Sequence, residues 1–409
     1  MSLSLILTLA AVALAAISIL PGTLGILMLT NKMAVSESGA RYIYGKAFWI
    51  GSLSAIAMAG GLFTAWQDGT LTSLPMLAAV AAYAGMLVFG FFMHTKLMFQ
   101  PVKKPKYMSV DDAVAKFGDD ETVVGVIDPN GKPWAYIARL ARRPHIVYQP
   151  EGDAPFIMTH CILANSSMSY RMNDRFSQPD ITITAALANN MVFYDKSSQC
   201  SVIQLHNGSL DKSMPLKTVP TIVCRLGTWK QLYPDAPVWH RDREWRDVFY
   251  LKLLARADVI DPASPVMVYP LQNKTDTRLP LKDFVLGLQI GERTKSYPLT
   301  LFKDRTVLQD SFNGVDLIIL SAFDTDYINI YDRELDGRTL TFESTGDNRF
   351  KDTETGSVWL VTGECIEGEL KGRRLEPVPH YNKIFWYVWA DYHPGTPIHG
   401  QDDAARDAA

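Results

Sequence analysis

Charged residues are scarce in the first quarter of the chain, and this constrains the fold more than any other feature of the sequence. Residues 1–106 contain only nine Asp, Glu, Lys or Arg residues, which leaves long apolar runs at 3–30, 47–66 and 74–93. Crossing the hydrocarbon core of a bilayer takes about 20 mostly apolar residues. The sequence therefore predicts a three-helix transmembrane anchor over residues 1–106, with the lipid bilayer as its first partner.

The basic residues between the runs predict how the anchor is oriented. The loop 32–46 and the segment 96–106 are basic, whereas the loop 67–72 holds only Asp68. Basic loops favour the cytoplasmic side of a membrane. We therefore expect a multi-pass protein of the cell (inner) membrane with a cytoplasmic soluble part. A cleaved signal peptide is the alternative for the first run, but it requires a positive segment ahead of a shorter apolar core.

The second run is rich in small residues, including Gly51, Gly60 and Gly61. Small residues let the backbones of membrane helices approach closely. The sequence leaves open whether helix 47–66 packs only inside its own anchor or also against itself or another membrane protein.

The remainder of the chain is acidic, with 33 basic and 41 acidic residues after position 106. Binding to nucleic acid needs a basic surface, so we do not expect a nucleic acid partner. The four cysteines are far apart and form no CxxC pair, which favours buried free thiols over a disulfide framework or zinc knuckle.

The soluble part contains an internal resemblance. Residues 123–126 (VVGV) are similar to residues 285–288 (VLGL), about 160 positions later. Further matches follow in the same order: 135–140 with 296–301, 193–195 with 350–352, 216–220 with 375–379, and 228–234 with 388–394. Several matches in register indicate a repeat.

The predicted fold class is therefore a membrane-anchored α+β protein, in which three N-terminal transmembrane helices precede two tandem strand-rich repeats. The predicted divisions are the anchor 1–106, a first repeat 107–240, a connecting helix 241–264, a second repeat 265–400 and a disordered tail 401–409. Strands are predicted at 122–127, 156–160, 181–185, 284–289, 316–321, 339–343 and 358–362.

The second repeat carries an extended motif. Residues 351–359 read Lys-Asp-Thr-Glu-Thr-Gly-Ser-Val-Trp, and Thr362-Gly363 opens a run with Gly368 and Gly372. The pattern resembles a bacterial and archaeal family of domains of unknown function. Its signature is Asp-x-x-Thr-Gly-Ser-x-Trp, then Thr-Gly-x-x-x-x-Gly-x-x-x-Gly and a late Trp-x-x-x-x-Pro. The resemblance covers nearly all of 265–400 and, more weakly, 120–240. It implies a fold rather than a reaction.

Typical members of that family also carry a cysteine segment of the type Thr-Tyr-Cys-Pro-Leu. Here residues 159–163 read Thr-His-Cys-Ile-Leu, but the second repeat has no cysteine at that place. The first repeat in turn lacks the Thr-Gly-Ser-x-Trp run. The resemblance therefore implies either remnants of the family's site or one site shared across the repeats.

Two groups of residues are candidates for function. Asp352, Ser357, Trp359 and Thr362 would line a ligand groove, although Asp followed by Thr-Glu-Thr-Gly is also good turn chemistry. The second group is Cys161 with His160. Thiolate and imidazole suit copper(I) or zinc, but adjacent residues on a strand face opposite sides. A catalytic thiol and a structural buried cysteine are the other interpretations.

The leading hypothesis is a membrane-tethered binding or accessory protein that presents its tandem soluble domain to a partner or ligand. The alternative is a metal-handling protein or enzyme with a site around Cys161 or 352–359. Neither a cofactor nor a substrate can be named from the sequence. Whether the chain is an enzyme stays open at this stage.

Overall fold

The three apolar runs form helices. The computed structural model describes residues 1–24, 35–150, 152–253 and 256–401. Three segments, Leu3–Thr23, Glu37–Gln67 and Leu74–Met93, are long and apolar enough to cross a membrane, with mean hydropathies of 2.6, 1.5 and 2.1. Residues 25–30 of the first predicted run, Lys32 of the basic loop and residues 402–409 of the predicted tail lie outside the described residues.

The helices of the described residues, numbered along the chain, are α1 (Leu3–Leu24), α2 (Glu37–Arg41), α3 (Ala47–Gln67), α4 (Leu74–Met93), α5 (Thr95–Met98), α6 (Val110–Phe117), α7 (Ala138–Ala141), α8 (Leu226–Leu232), α9 (Trp245–Leu253), α10 (Ala257–Ile260) and α11 (Trp386–Tyr392). A π-helical turn, Tyr42–Lys46, joins α2 to α3.

The strands are β1 (Lys106–Met108), β2 (Thr122–Ile127), β3 (Pro133–Ile137), β4 (Ile146–Gln149), β5 (Phe156–Cys161), β6 (Ser166–Arg171), β7 (Ile181–Leu187), β8 (Asn190–Asp195), β9 (Cys200–Ile203), β10 (Gly208–Ser209), β11 (Thr218–Val219), β12 (Thr221–Arg225), β13 (Val238–His240), β14 (Phe284–Ile290), β15 (Arg293–Pro298), β16 (Val307–Phe312), β17 (Val315–Ala322), β18 (Tyr327–Asp332), β19 (Glu334–Leu335), β20 (Arg338–Thr339), β21 (Phe342–Gly346), β22 (Arg349–Asp352), β23 (Val358–Leu360), β24 (Cys365–Glu367) and β25 (His380–Phe385).

Contacts divide the chain into two compact units. The first unit combines Met1–Pro101 with Asn173–Leu216, and the second combines Val102–Met172 with Lys217–Ala409. This division by packing differs from the predicted boundary at 106, which was drawn from the apolar runs, and from those at 240 and 265, which were drawn from the internal resemblance.

Small residues let the helices of the first unit approach closely. A Cβ atom on Gly61 of α3 would lie 2.4 Å from Thr8 Oγ1 of α1. The Ser54 hydroxyl of α3 donates a hydrogen bond of 2.7 Å to the carbonyl oxygen of Ala11. The small residues of α3 therefore pack against α1 of the same chain, as the internal-packing alternative requires.

The first unit also contains a four-stranded antiparallel sheet in the order β10-β9-β8-β7. The Tyr44 ring, from the turn before α3, stacks on Tyr194 of β8 with ring centroids 6.2 Å apart. Its hydroxyl donates to the carbonyl oxygen of Ile183 in β7. Residues 173–216, which follow far beyond the end of α5, thus pack with the helical part of the chain.

The second unit is built from several small sheets. Its largest has the order β1-β13-β3-β2-β12, and a three-stranded sheet has the order β15-β14-β25. In the strands β3-β2-β12 of the first sheet, and in the second sheet, a glycine on the middle strand lies under a tryptophan. A Cβ atom on Gly125 would lie 2.0 Å from the Trp229 ring, and one on Gly287 would lie 2.5 Å from the Trp389 ring.

One hydrophobic core joins residues from both parts of the second unit. It contains Val124 and Trp229 from the earlier part together with Ile318, Phe350 and Trp359 from the later part. The two tryptophans are fully buried. The earlier and later parts of the second unit therefore depend on each other for burial of apolar area.

The strand predictions are mostly close to the structure. The strand at 122–127 has the predicted bounds, and the others begin or end within two residues of them. The prediction of one strand over 339–343 is wrong. Residues Arg338–Thr339 pair with β19, whereas the chain from Phe342 pairs with β22. Leu340, fully buried between them, still bonds through its N–H to the Arg333 carbonyl beside β19. The next carbonyl, of Thr341, accepts the N–H of Thr353 beside β22, so the pairing partner changes between Leu340 and Thr341.

Within the predicted connecting helix 241–264 the described residues form two shorter helices, α9 and α10, and the buried side of α9 differs from its apolar pattern. Trp245 and Val248 are about half exposed, whereas Asp247 is buried. The Asp247 carboxylate accepts hydrogen bonds from Arg143 and Arg241. A buried ion pair of this kind fixes the helix in place because breaking it would leave an unpaired charge.

Candidate ligand-binding site

The Asp352 turn is closed by side chains that satisfy one another. Asp352 is fully buried at the end of β22. Its Oδ1 accepts hydrogen bonds from the N–H of Thr355 (2.6 Å) and from the Thr355 hydroxyl (2.8 Å). Its Oδ2 accepts the indole N–H of Trp359 at 2.8 Å. Both carboxylate oxygens therefore accept hydrogen bonds from residues close in the sequence, Thr355 and Trp359.

Ser357 completes the same turn. Its hydroxyl lies 2.7 Å from the Thr355 hydroxyl and accepts the N–H of Leu370 at 3.1 Å. Asp195, at the end of β8, makes a similar turn by accepting the N–H and hydroxyl of Ser198. The structure thus brings Asp352, Ser357 and Trp359 together, in an arrangement that organises a turn.

Thr362 lies apart from those three residues and lines a cavity of about 510 Å³. Its Oγ1 atom is buried and has no hydrogen-bond partner among the described residues. A buried hydroxyl without a partner costs free energy. Thr362 is therefore the predicted groove residue that lines a cavity, and its role in ligand binding stays a prediction.

The wall of this cavity carries three tyrosines, and we call it the tyrosine cavity after Tyr233, Tyr327 and Tyr331. The hydroxyls of Tyr233 and Tyr327 lie 3.1 Å apart. The Tyr331 hydroxyl accepts from the Asn329 amide and donates to the carbonyl oxygen of Val361, both at 2.8 Å. These hydrogen bonds place a row of polar groups along the wall of the cavity.

Burial keeps these phenols protonated. It raises the pKa of Tyr233 to about 12, although the hydrogen bond with Tyr327 opposes the shift. Burial also raises the pKa of Tyr327 and Tyr331 well above the ordinary value. A phenol that stays neutral can still donate a hydrogen bond at neutral pH.

Two arginines line the tyrosine cavity beside the phenols. Arg171 is exposed at the end of β6. Arg374 makes an ion pair of 2.7 Å with Glu364, but both side chains are more than one-third exposed, so this pair contributes little. Asp128 also lines the cavity, yet its carboxylate accepts the N–H groups of Asn130, Lys132 and Trp134.

Residues 99–396 match a family described as proteins of unknown function, DUF3179. The chain belongs to the DUF3179 family. The match covers the second unit up to residue 396 and the sheet β7–β10. No curated protein and no solved structure matches the chain.

In this DUF3179 protein the tyrosine cavity includes residues that were not among the candidate ligand-binding residues predicted from the sequence. Residues 327–331 read Tyr-Ile-Asn-Ile-Tyr. Alternation along a strand places Tyr327, Asn329 and Tyr331 on one face. That alternation was visible in the sequence, but the approach of Asp128 and Arg171 from distant positions was not.

Cys161 and His160 lie at the end of β5 and are buried. Cys161 is 4% exposed and His160 is 5% exposed. His160 Nδ1 lies 2.9 Å from the hydroxyl of Ser167 on β6. Among the residues that the structure describes, no group of three or more His, Cys, Asp or Glu side chains could hold a metal ion. A role for Cys161 and His160 in metal binding stays a prediction.

A second histidine lies next to His160. The His160 N–H donates to the carbonyl oxygen of His145, and His145 Nε2 lies 3.2 Å from the Tyr250 hydroxyl. Burial is the main cause that lowers the pKa of both imidazoles to about 3. Nearby cations, Arg143 for His145 and Arg142 for His160, act in the same direction.

The lowered pKa values of these two histidines predict that the free energy of unfolding decreases in acid. An imidazole with an unfolded pKa of about 6.5 and a lower folded pKa contributes stability above pH 6.5, and this stability is lost as the pH falls. From pH 7.5 to pH 5, we expect each histidine to remove about 2 kcal/mol from the free energy of unfolding. Denaturant unfolding of the detergent-solubilised chain at both pH values measures this loss.

The control for this prediction is the His160→Asn variant, which removes one titrating group. Its stability should depend less steeply on pH than that of the wild type. Equal stability of the wild type at pH 7.5 and pH 5 would contradict the prediction, because it would mean that the folded state protonates as readily as the unfolded state.

Proposed function

We propose that this DUF3179 protein is a membrane-tethered binding protein whose soluble part holds a small ligand with an acidic group in the tyrosine cavity. The observation that carries the proposal is the cavity wall. It combines three neutral phenols with the buried, unpartnered hydroxyl of Thr362. A ligand oxygen that bonds with such groups would offset the cost of burying them.

Two arginines and two carboxylates, Asp128 and Glu376, line the cavity, and the arginines are the groups that would hold an acidic ligand. Arg171 and Arg374 supply guanidinium groups, and Arg374 makes an exposed ion pair with Glu364. Guanidinium groups bind carboxylates with two parallel hydrogen bonds. Because the Asp128 carboxylate already accepts three N–H groups, it repels an anion less than a free carboxylate would.

The proposal that the protein is tethered to a membrane rests on the three apolar helices. The basic residues around them support insertion in the cell (inner) membrane with the second unit in the cytoplasm.

The tandem repeat is also part of the proposal. Matching strand orders support it, since β3-β2-β12 and β15-β14-β25 each place a glycine under a tryptophan.

Binding to the tyrosine cavity can be tested on the full chain in detergent. We expect a panel of small carboxylates (succinate, citrate and benzoate) to contain at least one that raises the thermal unfolding midpoint. Arg374→Gln and Thr362→Val should both weaken that shift. Arg374→Gln removes the guanidinium, and Thr362→Val keeps the shape but removes the hydroxyl.

Two residues that do not line the tyrosine cavity provide matched controls. Arg373→Gln removes an adjacent arginine that pairs with Asp336 and does not line the cavity. Thr339→Val removes an exposed hydroxyl. Both control variants should bind as the wild type does. If no carboxylate shifts the midpoint, or if the control variants weaken binding equally, the proposed ligand class is wrong.

The proposed orientation has its own test. A reporter that is active only in the cytoplasm, fused after Ala409, should be active, and a reporter that is active only outside should be silent. The physical reason is the retention of basic loops on the cytoplasmic side. The reverse pattern of reporter activity would overturn the orientation but would leave the tyrosine cavity untouched.

A further inference from the structure

Strand β25 contains an irregularity that β12 lacks. β12 pairs with β2 residue by residue. In β25 the pairing with β14 shifts between Ile384, opposite Val285, and Tyr381, opposite Gly287. The bulge therefore holds two residues, Asn382 and Lys383, opposite one. Bulges of this kind redirect a side chain and are frequent next to active sites.

Lys383 in this bulge has a left-handed backbone, with φ of 56°. Its side chain is only 14% exposed. Its Nζ donates a hydrogen bond of 2.7 Å to the carbonyl oxygen of Asp326 and lies 3.8 Å from the Asp326 carboxylate. The bulge thus directs a lysine amine into a mostly buried position against a carboxylate.

The segment that supplies Asp326 is strained as well. Phe323, Asp324 and Thr325 have φ values of 55°, 53° and 67°. Left-handed backbone is costly for a bulky or β-branched residue, and such strain is concentrated at functional sites. The N–H of Arg225 donates to Asp326 Oδ2 at 2.9 Å and fixes the carboxylate. Two strained segments therefore meet at one amine and one carboxylate.

These residues line a cavity of about 670 Å³, which we call the lysine cavity after Lys383. Arg225 and Lys303 line it too, and both are exposed. Burial lowers the pKa of Lys383, although Asp326 opposes the shift. A lysine amine that loses its proton readily is the form that attacks carbonyl carbon.

We propose that Lys383 forms a Schiff base with a small carbonyl compound that carries an acidic group. Asp326 takes a proton from the ammonium, and the Nζ lone pair adds to the carbonyl carbon to give a carbinolamine. The protonated Asp326 then donates its proton to the departing hydroxyl. The products are a protonated imine and one water, and the step needs no oxidant. Arg225 and Lys303 hold the acidic group.

The experiment uses the full chain in detergent with glyoxylate and sodium cyanoborohydride, which reduces an imine to a stable carboxymethyl amine. Peptide mass spectrometry then locates the label. Lys383 should carry more of the label than Lys303, because burial lowers the pKa of the Lys383 amine and leaves more of it unprotonated at neutral pH. Lys303 is a matched control because it lines the same cavity and is exposed.

Two further measurements complete the test. Lys383→Arg keeps the charge but cannot form an imine, so labelling at position 383 should be lost while Lys303 still reacts. Propionaldehyde, which has no acidic group, should label Lys383 more slowly than glyoxylate does. Labelling of Lys303 with Lys383 unmodified in the wild-type chain overturns the proposal, and this result does not depend on whether the variant folds. Equal labelling by both aldehydes overturns the role of Arg225 and Lys303.

Discussion

Replacement of Asp352 by Ala is expected to lower the free energy of unfolding by about 3–5 kcal/mol. Asp352 is fully buried and accepts hydrogen bonds from the N–H and hydroxyl of Thr355 and from the indole of Trp359. Alanine would leave these donors without an acceptor in a dry environment. Asp352→Asn should cost less, because one amide oxygen remains to accept.

Denaturant unfolding of the full chain in detergent, followed by tryptophan fluorescence, measures this effect. Asp304→Ala is the control because Asp304 is exposed, and it should change stability by less than about 0.5 kcal/mol. If Asp352→Ala unfolds like the control, the turn does not depend on its carboxylate. A variant that loses ligand binding at unchanged stability would support the ligand-groove interpretation of 352–359 instead.

Replacement of Gly287 by Val should be similarly disruptive, with a loss of about 3 kcal/mol or more. A Cβ atom at this position would lie 2.5 Å from the Trp389 ring, which is fully buried. The ring cannot move away without opening the core. Gly125→Val should have a comparable effect, because its Cβ would lie 2.0 Å from the Trp229 ring.

The same unfolding experiment tests both glycines. Gly314→Asn is a suitable control. It has a left-handed backbone with φ of 83° and open space around it, and asparagine tolerates that backbone region better than other residues do. An unchanged free energy of unfolding in Gly287→Val would show that Trp389 finds another position, and the close packing of strand on tryptophan would not be needed for the fold.

Features that depend on local composition could be predicted from the sequence. The three apolar helices follow from runs without charge, and the turn at Asp352 follows from its Asp-Thr-Glu-Thr-Gly residues. The strand at 339–343 was mispredicted because pairing partners, rather than propensity, decide where β20 ends. Asp247 was not recognised as a buried anchor because its partner Arg143 is distant along the chain.

The candidate site shows the same limit. Thr362 was identified with Asp352 and Trp359 as one groove, since all of them lie within one motif. The fold separates them, because the turn buries Asp352 and Trp359 while Thr362 lines the tyrosine cavity. The other walls come from residues such as Asp128 and Arg171, whose proximity depends on the pairing of strands far apart in sequence.

The grouping of 173–216 with the N-terminal helices has a consequence for biosynthesis. The helices emerge from the ribosome first, but the sheet that packs on Tyr44 is complete only after Ser209 has been made. The first unit therefore stays partly assembled while residues 102–172 of the second unit are translated. A gene fragment that starts at codon 107 would produce β7–β10 without the helices that cover them.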